Sequence, residues 1–187
     1  MDKIIGTHNT MSYLSPDHWW QKPFNWLFAQ CQDKYPDNDT CVDFRIYYNE
    51  DTKDWEFAHG LISYDSIFGA FLNICGSITS VSCKYVRLIL ERNGHEDDFI
   101  NLCKRYEENY PKITFLGGYR KSDWKQLYKF EAEDPTSPNY IPIHQWVGSM
   151  AKDARWYEKL IPRLYAKRMN KKNMENLKEG INLFDFI

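Results

Sequence analysis

Lys3-Ile4-Ile5-Gly6-Thr7-His8-Asn9-Thr10 opens the chain with an apolar run that ends on a histidine. Residues 3–6 read as a short strand delivering Thr7, His8 and Asn9 at its carboxyl end. Working outward, residues 41–48 alternate and are rich in strand formers, and residues 55–59 form a second short run of the same kind. Asn49-Glu50-Asp51 supplies turn chemistry between them, so the two are expected to make a hairpin. Residues 85–90 and 113–116 are compact apolar strands closed by Asn93-Gly94 and Gly117-Gly118. Residues 124–130 and 141–147 read as two more strands, and residues 181–187 as the last. Between them lie helical patterns over 19–32, 67–78, 96–110 and 149–177, with Asp17 as a cap of the first and Pro111 stopping the third. Pro162 breaks or kinks the fourth pattern and Gly180 is expected to cap it. About eight strands with some crossover helices missing give an α/β chain, best drawn as a small, irregular TIM-like (β/α) barrel.

The chain has 187 residues, 43% of them apolar, which suits a single domain over residues 1–187 with its own core. A net charge of −2 and a pI near 6.2 argue against nucleic acid as a partner. The aromatic share of 17% is high, and Trp and Tyr suit water–lipid boundaries as well as cores. Five cysteines, Cys31, Cys41, Cys75, Cys83 and Cys103, form no C-x-x-C pair and are odd in number, which fits a reduced compartment and buried thiols. No stretch reaches the roughly 20 apolar residues of a spanning helix. The expectation is a soluble protein, cytoplasmic as written or secreted if a signal was removed, whose membrane contact is peripheral.

In such a barrel the reactive groups sit at the carboxyl ends of strands, where His8, Asp43, Arg45, Glu91 and Asp185 fall. A histidine titrates near neutrality and can move a proton in either direction. One of the pair His8 and His59 can take a proton from a nucleophile while the other gives one to a leaving group. Gly60 lets the backbone turn directly after His59. Asp43-Phe44-Arg45 places an acid and a guanidinium at i and i+2, on one face of a strand, where Arg45 can meet a phosphate with its fork of donors. Taken one by one, these residues also read as a capping histidine, a core histidine and a buried ion pair.

Taken together they form an ordered set. Gly6-Thr7-His8-Asn9-Thr10-Met11-Ser12-Tyr13-Leu14, then Val42-Asp43-Phe44-Arg45, then Phe57-Ala58-His59-Gly60, and last Asn182-Leu183-Phe184-Asp185-Phe186-Ile187, resemble the catalytic X region of phosphatidylinositol-specific phospholipase C. The resemblance runs from residue 4 to the end and is weaker between residues 119 and 178. It implies a distorted barrel in which His8 is the general base on the inositol 2-hydroxyl. That hydroxyl attacks phosphorus, giving a cyclic inositol phosphate and releasing diacylglycerol. His59 matches the acid that protonates the glycerol oxygen, and Asp185 the carboxylate that orients the base. Asp43-Phe44-Arg45 follows the bacterial pattern, in which the arginine neutralises the phosphate without metal, so no cofactor is expected.

The departures from that pattern are specific. Asn9 and Glu91 match the animal pattern, which uses Ca²⁺; were the chain Ca²⁺-dependent, Asn9, Asp43 and Glu91 would be the ligands. The bacterial pattern instead has an Asp at Asn9, supporting the acid histidine, and a lysine at Glu91. Arg45 and Glu91 could also pair with each other. Gly117-Gly118 replaces a lysine–arginine pair that holds the head group, leaving Tyr119 and Arg120 to compensate. Asn9, Glu91, Tyr119 and Arg120 are therefore the substrate-binding candidates, on a phospholipid whose head group the sequence leaves open. A catalytically silent domain binding lipid head groups or inositol phosphates is the alternative. The segment Trp19-Trp20-Gln21-Lys22-Pro23-Phe24-Asn25-Trp26-Leu27-Phe28 carries two aromatic stripes. One stripe is expected to pack on the barrel, while Trp19 and Trp20 sit at the rim of the site and make transient contact with a membrane surface, with Lys22 meeting anionic lipid.

Overall fold

The computed structural model describes residues 2–30, 40–64, 69–70, 74–76 and 83–186. Parallel strands β1 (Lys3–Thr7), β2 (Thr40–Asn49), β5 (Cys83–Leu90), β6 (Thr114–Arg120), β8 (Ile143–Trp146) and β9 (Gly180–Phe184) make the body of the sheet. The order across it is β7-β6-β5-β2-β1-β9-β8, with β7 (Lys125–Gln126) antiparallel on one edge. The hairpin of β2 with β3 (Asp54–His59) is present, and β3 continues into β4 (Ile62–Tyr64). The helices are α1 (Lys22–Phe28), α2 (Glu96–Asn109), α3 (Trp156–Leu160) and α4 (Pro162–Glu175).

The α/β class therefore stands, but the sheet is a curled half-barrel. Among the described residues β7 and β8 remain edges and do not pair to close a ring. Closure would need strands through residues 121–142, and there the chain spends its length on the two-residue β7, a 3₁₀ turn at Glu131–Glu133 and a proline-rich loop.

Strand alternation sorts the side chains into two layers. Val42, Phe44, Ile46, Val86, Leu88 and Leu90 face outward and pack with Phe99, Leu102, Cys103 and Tyr106 of α2 in the larger core. Ile4, Cys41, Leu116, Ile181 and Leu183 fill the amino end of the concave face. Above them, on the same face, come His8, Asp43, Arg45, Arg87 and Asp185, all at least nine-tenths buried. Gly6 permits this crowding, because a Cβ there would lie 2.6 Å from the Cys41 carbonyl oxygen.

Several boundaries differ from the sequence reading. The first helix shrinks to a 3₁₀ turn at Trp19–Gln21 and seven residues of α1, with Pro23 in its first turn, where a missing N–H costs nothing. The end of the expected helix over 19–32, together with Cys31, lies outside the described residues. Of the helix expected over 67–78, residues 69–70 and 74–76 are described and are helical. The pattern over 149–177 divides at Ile161 into α3 and α4, with Pro162 opening α4. Gly180 begins β9 rather than capping a helix; its φ of 99° and the Pro142 oxygen, 2.3 Å from where a Cβ would lie, require glycine. Burial pushes the thiols of Cys41, Cys83 and Cys103 up, so they are inert packing groups. Among the described residues no helix is long and apolar enough to cross a membrane.

Candidate active site

β1 and β9 run side by side, so the residues that follow them meet. The His8 N–H donates to the Phe184 carbonyl at 2.9 Å, and the His8 Nδ1 lies 3.2 Å from Asp185 Oδ1. The other carboxylate oxygen of Asp185 accepts the Gly148 N–H at 3.0 Å, which fixes its plane. On the far side of the ring, Arg45 Nη2 is 3.3 Å from His8 Nε2 and donates to it. Both contacts select the same tautomer: the proton on Nδ1, held by Asp185, and the lone pair on Nε2, aimed at the guanidinium.

Asn9 adopts a left-handed backbone, φ 48°, one that asparagine tolerates better than most side chains. That turn carries its main-chain N–H to Asp43 Oδ2 at 3.1 Å and its amide inward to Gln30. The Asn9 Nδ2 lies 3.5 Å from His8 Nδ1 and 3.5 Å from His59 Nε2, so the two imidazoles are no farther apart than the sum of those contacts. His59 arrives from the end of β3, and Gly60, with φ 64°, turns the chain and donates its N–H to Glu91 Oε1. The His59 Nδ1 is buried with no hydrogen-bond partner among the described residues.

Two histidines and a ring of cations line one cavity of about 340 Å³: His8, His59, Arg45, Arg87, Lys121 and Lys159. Phe28, Trp124 and Met150 form its apolar rim. A second, almost wholly apolar pocket of about 310 Å³ shares His59 and Phe28 with the first and is otherwise walled by Trp20, Phe24, Leu61 and Ile62 beside Gly60. A larger, open groove of about 780 Å³ lies along α1 and touches neither histidine. Of these three, the first is the one lined by both imidazoles.

Charge in this cavity is organised in pairs. Burial opposes ionisation of Asp43, but Arg87, His8, Arg45 and the Asn9 N–H outweigh it and hold the carboxyl below its ordinary value. Arg87 Nη1 sits 3.5 Å from Asp43 Oδ1 and Arg87 Nη2 3.4 Å from Glu133, and burial pushes the Glu133 carboxyl up despite that contact. Glu91 accepts from Lys121 and lies 3.7 Å from Arg45 Nη1, so the pairing of Arg45 with Glu91 is present. His59 is driven the other way. Burial first, then the nearby Arg45, Lys121 and His8, hold its imidazole well below the usual histidine range, in the neutral form at neutral pH.

The expected residues separate into those gathered here and those left outside. His8, His59 and Arg45 line the cavity, Asp43, Asp185, Asn9 and Glu91 contact these side chains or the Gly60 backbone beside them, and Trp20 lies in the adjoining apolar pocket. Arg120 does not belong to it: its guanidinium pairs with Asp123 and, at 3.1 Å, with Glu96. Tyr119 is half-buried on β6 and does not line the cavity either; burial and Glu133 raise its phenol. For Arg120 the physical reason is a register shift. Leu88 pairs with Gly117 but Ile89 pairs with Tyr119, so one extra residue is bulged into β6. The shift turns Lys121, not Arg120, toward Glu91. Trp19 is 82% exposed and forms no wall of either pocket.

Sequence reading missed Arg87, Lys121, Lys159 and Gln30. Arg87 carried a signal: a lone charge inside the apolar run of β5, in register with Asp43. Lys121 depended on the bulge, and Gln30 and Lys159 reach the site through tertiary contacts alone. As for a divalent cation, Asp43 is held by Arg87 and the Asn9 N–H and Glu91 Oε1 by Lys121 and the Gly60 N–H, while Asn9 Oδ1 and Glu91 Oε2 are buried with no hydrogen-bond partner among the described residues. The Arg45 guanidinium, 3.7 Å from Glu91 Oε2, with Arg87 and Lys121 paired to the two carboxylates, opposes a further cation among these oxygens. Among the described residues no group of three or more His, Cys, Asp or Glu is arranged to hold a metal.

A scan of protein-family models, a search of curated proteins and a search of solved structures each return no match to this chain.

Proposed function

We propose that the chain is a phosphodiesterase of the phospholipase C type, acting without metal on a phosphoinositide-like lipid. The observation that carries this reading is the convergence of both imidazoles and the Arg45 guanidinium on one cavity, with Asp185 behind His8. The phosphate takes the place opposite Arg45 and Lys121, where fixed cations offset charge building on its non-bridging oxygens. His8 Nε2 removes the proton of the inositol 2-hydroxyl, whose oxygen attacks phosphorus. The bond to the glycerol oxygen breaks, and His59 supplies that oxygen with its proton. Cyclic inositol phosphate and diacylglycerol leave, with His8 protonated beside Asp185 and His59 neutral.

His59 must carry a proton to do this, and its surroundings resist one. The substrate itself answers part of the problem, because a phosphodiester anion seated among Arg45 and Lys121 offsets the charges that disfavour the imidazolium. The same observation supports a second reading, a silent head-group binding module, since His59 Nδ1 lacks the acidic partner a strong proton donor would have. Incubation with phosphatidylinositol vesicles, with and without a chelator, separates the two. Cyclic inositol phosphate formed regardless of chelator, and lost in His8→Ala and His59→Ala, is the expected result. Binding without product supports the silent module. Chelator-sensitive turnover contradicts the metal-free assignment.

The exposed aromatic side chains beside the cavity fit a lipid surface. Trp19, Trp20, Phe24 and Trp26 are 82%, 44%, 49% and 60% exposed on one short segment, a patch with a meaning beyond chance exposure. Transient membrane contact through this segment brings the cavity to its substrate.

A further inference from the structure

We infer that the apolar pocket beside His59 is a subsite for the leaving group, and that it takes one alkyl chain of the alcohol expelled from phosphorus. The inference rests on the phosphodiesterase reading and deepens it by giving an apolar chain of the expelled alcohol a place in the fold. The pocket holds about 310 Å³ and presents almost no polar surface. A cavity of roughly 150 Å³ accepts benzene, so this one has room for on the order of ten carbon atoms. It lies at the small end of the range for ligand sites.

Its place decides the occupant. The two cavities share His59 and Phe28, so the imidazole is the partition between a cationic chamber and an apolar one. The proposed proton donor sits where the bond between phosphorus and the leaving oxygen is cleaved. Whatever hangs on that oxygen continues past His59 into the apolar side. The head group stays with His8, Arg45 and Lys121. Leu61, 82% exposed at the β3–β4 turn, and Phe24, 49% exposed on α1, both line this pocket and leave apolar surface open to water. An alkyl chain between them would remove that apolar surface from water.

The test uses inositol 1-phosphate esters of methanol, butanol and octanol, all kept monomeric, together with butyl and octyl phosphate as ligands that report binding alone. Each methylene removed from water is worth up to about fourfold in affinity, and about twofold where the site is half open. The octyl ester should therefore exceed the butyl ester in kcat/KM by at least about tenfold, and octyl phosphate should bind correspondingly tighter than butyl phosphate. In the double variant Phe24→Ser, Leu61→Ser both dependences on chain length should flatten. The sites are exposed, and an unchanged circular dichroism spectrum verifies that the variant is folded. Turnover of all three esters at one rate, with equal binding of the two alkyl phosphates, overturns the subsite and leaves the phosphodiesterase reading intact. If no ester is cleaved but octyl phosphate binds more tightly in a way the double variant loses, the phosphodiesterase reading falls while the pocket stands as an alkyl site.

Discussion

Asp185→Asn tests the tautomer logic of the site at the cost of one atom. In the native chain Oδ2 of Asp185 accepts the Gly148 N–H at 3.0 Å and Oδ1 faces His8 Nδ1 at 3.2 Å. An asparagine has one oxygen to offer. The Gly148 N–H is fixed in the main chain and can only donate, so it claims that oxygen and leaves the NH₂ facing His8 Nδ1. The ring must then accept at Nδ1 and carry its proton on Nε2, where Arg45 Nη2 stands 3.3 Å away as a donor. Two donors face each other, and the base has lost the lone pair it needs. The comparable exchange in a serine-protease triad costs about 10⁴ in kcat by the same change of tautomer, so a loss of roughly 10³- to 10⁴-fold is expected here. Size and packing hardly change, so the melting temperature should move by only a few degrees. Turnover of phosphatidylinositol in mixed micelles gives the rate, and ¹⁵N shifts of labelled histidine give the tautomer. A rate within tenfold of the native protein, or a His8 that keeps its proton on Nδ1 in the variant, refutes the reasoning.

Further outcomes follow from the same geometry. Arg120→Ala should change kcat/KM less than about twofold, whereas Lys121→Ala removes a charged contact of roughly 1.5–3 kcal/mol and should lower it at least tenfold; equal effects would place the head group elsewhere. Because His59 must be charged to act and its pKa lies below 6.5, kcat/KM should fall as pH rises through that depressed value. The corresponding limb of kcat should lie at higher pH, since bound phosphate favours the imidazolium; coincident limbs count against His59 as the acid. His59 also links pH to stability: between its folded pKa and 6.5 the unfolded chain binds the extra proton, so the melting temperature should drop as pH falls through that window, and less so in His59→Gln. Trp19→Ala with Trp20→Ala should weaken vesicle binding while sparing hydrolysis of the methyl ester; unchanged vesicle binding removes this segment from the interface.

Much of the candidate site was legible because strand chemistry is local. His8, Glu91 and Asp185 each follow an apolar strand and Arg45 lies within one, and a period of two tells which of their neighbours point the same way. What could not be read was set between strands. The extra residue at Gly117-Gly118 moved the inward cation from Arg120 to Lys121, and a bulge shows itself only against its partner strand. The closed barrel failed for a related reason: residues 124–130 have strand-forming side chains, but only Lys125–Gln126 finds a partner, and propensity alone does not pair an edge. The long first helix failed at Pro23, whose ring suits a helix start and not its interior.

The concave face shows why these errors left the site intact. Its apolar layer, Ile4, Cys41, Leu116, Ile181 and Leu183, lies at the amino ends of four strands and stabilises the sheet whether or not the ring closes. Its ionic layer lies farther along the sheet, on β2 and β5 and just past β5, β6 and β9, and its carboxylates are offset: Asp43 by Arg87, Glu91 by Lys121, Asp185 by the Gly148 N–H. His59 Nδ1 has no such partner among the described residues, and Asn9 offers the other ring nitrogen only an amide at 3.5 Å. In the phosphodiesterase reading, the histidine whose surroundings oppose its charge is the one asked to donate a proton. A bound anion is then the natural source of the missing negative charge, so occupancy of the cavity and readiness of its acid become the same event.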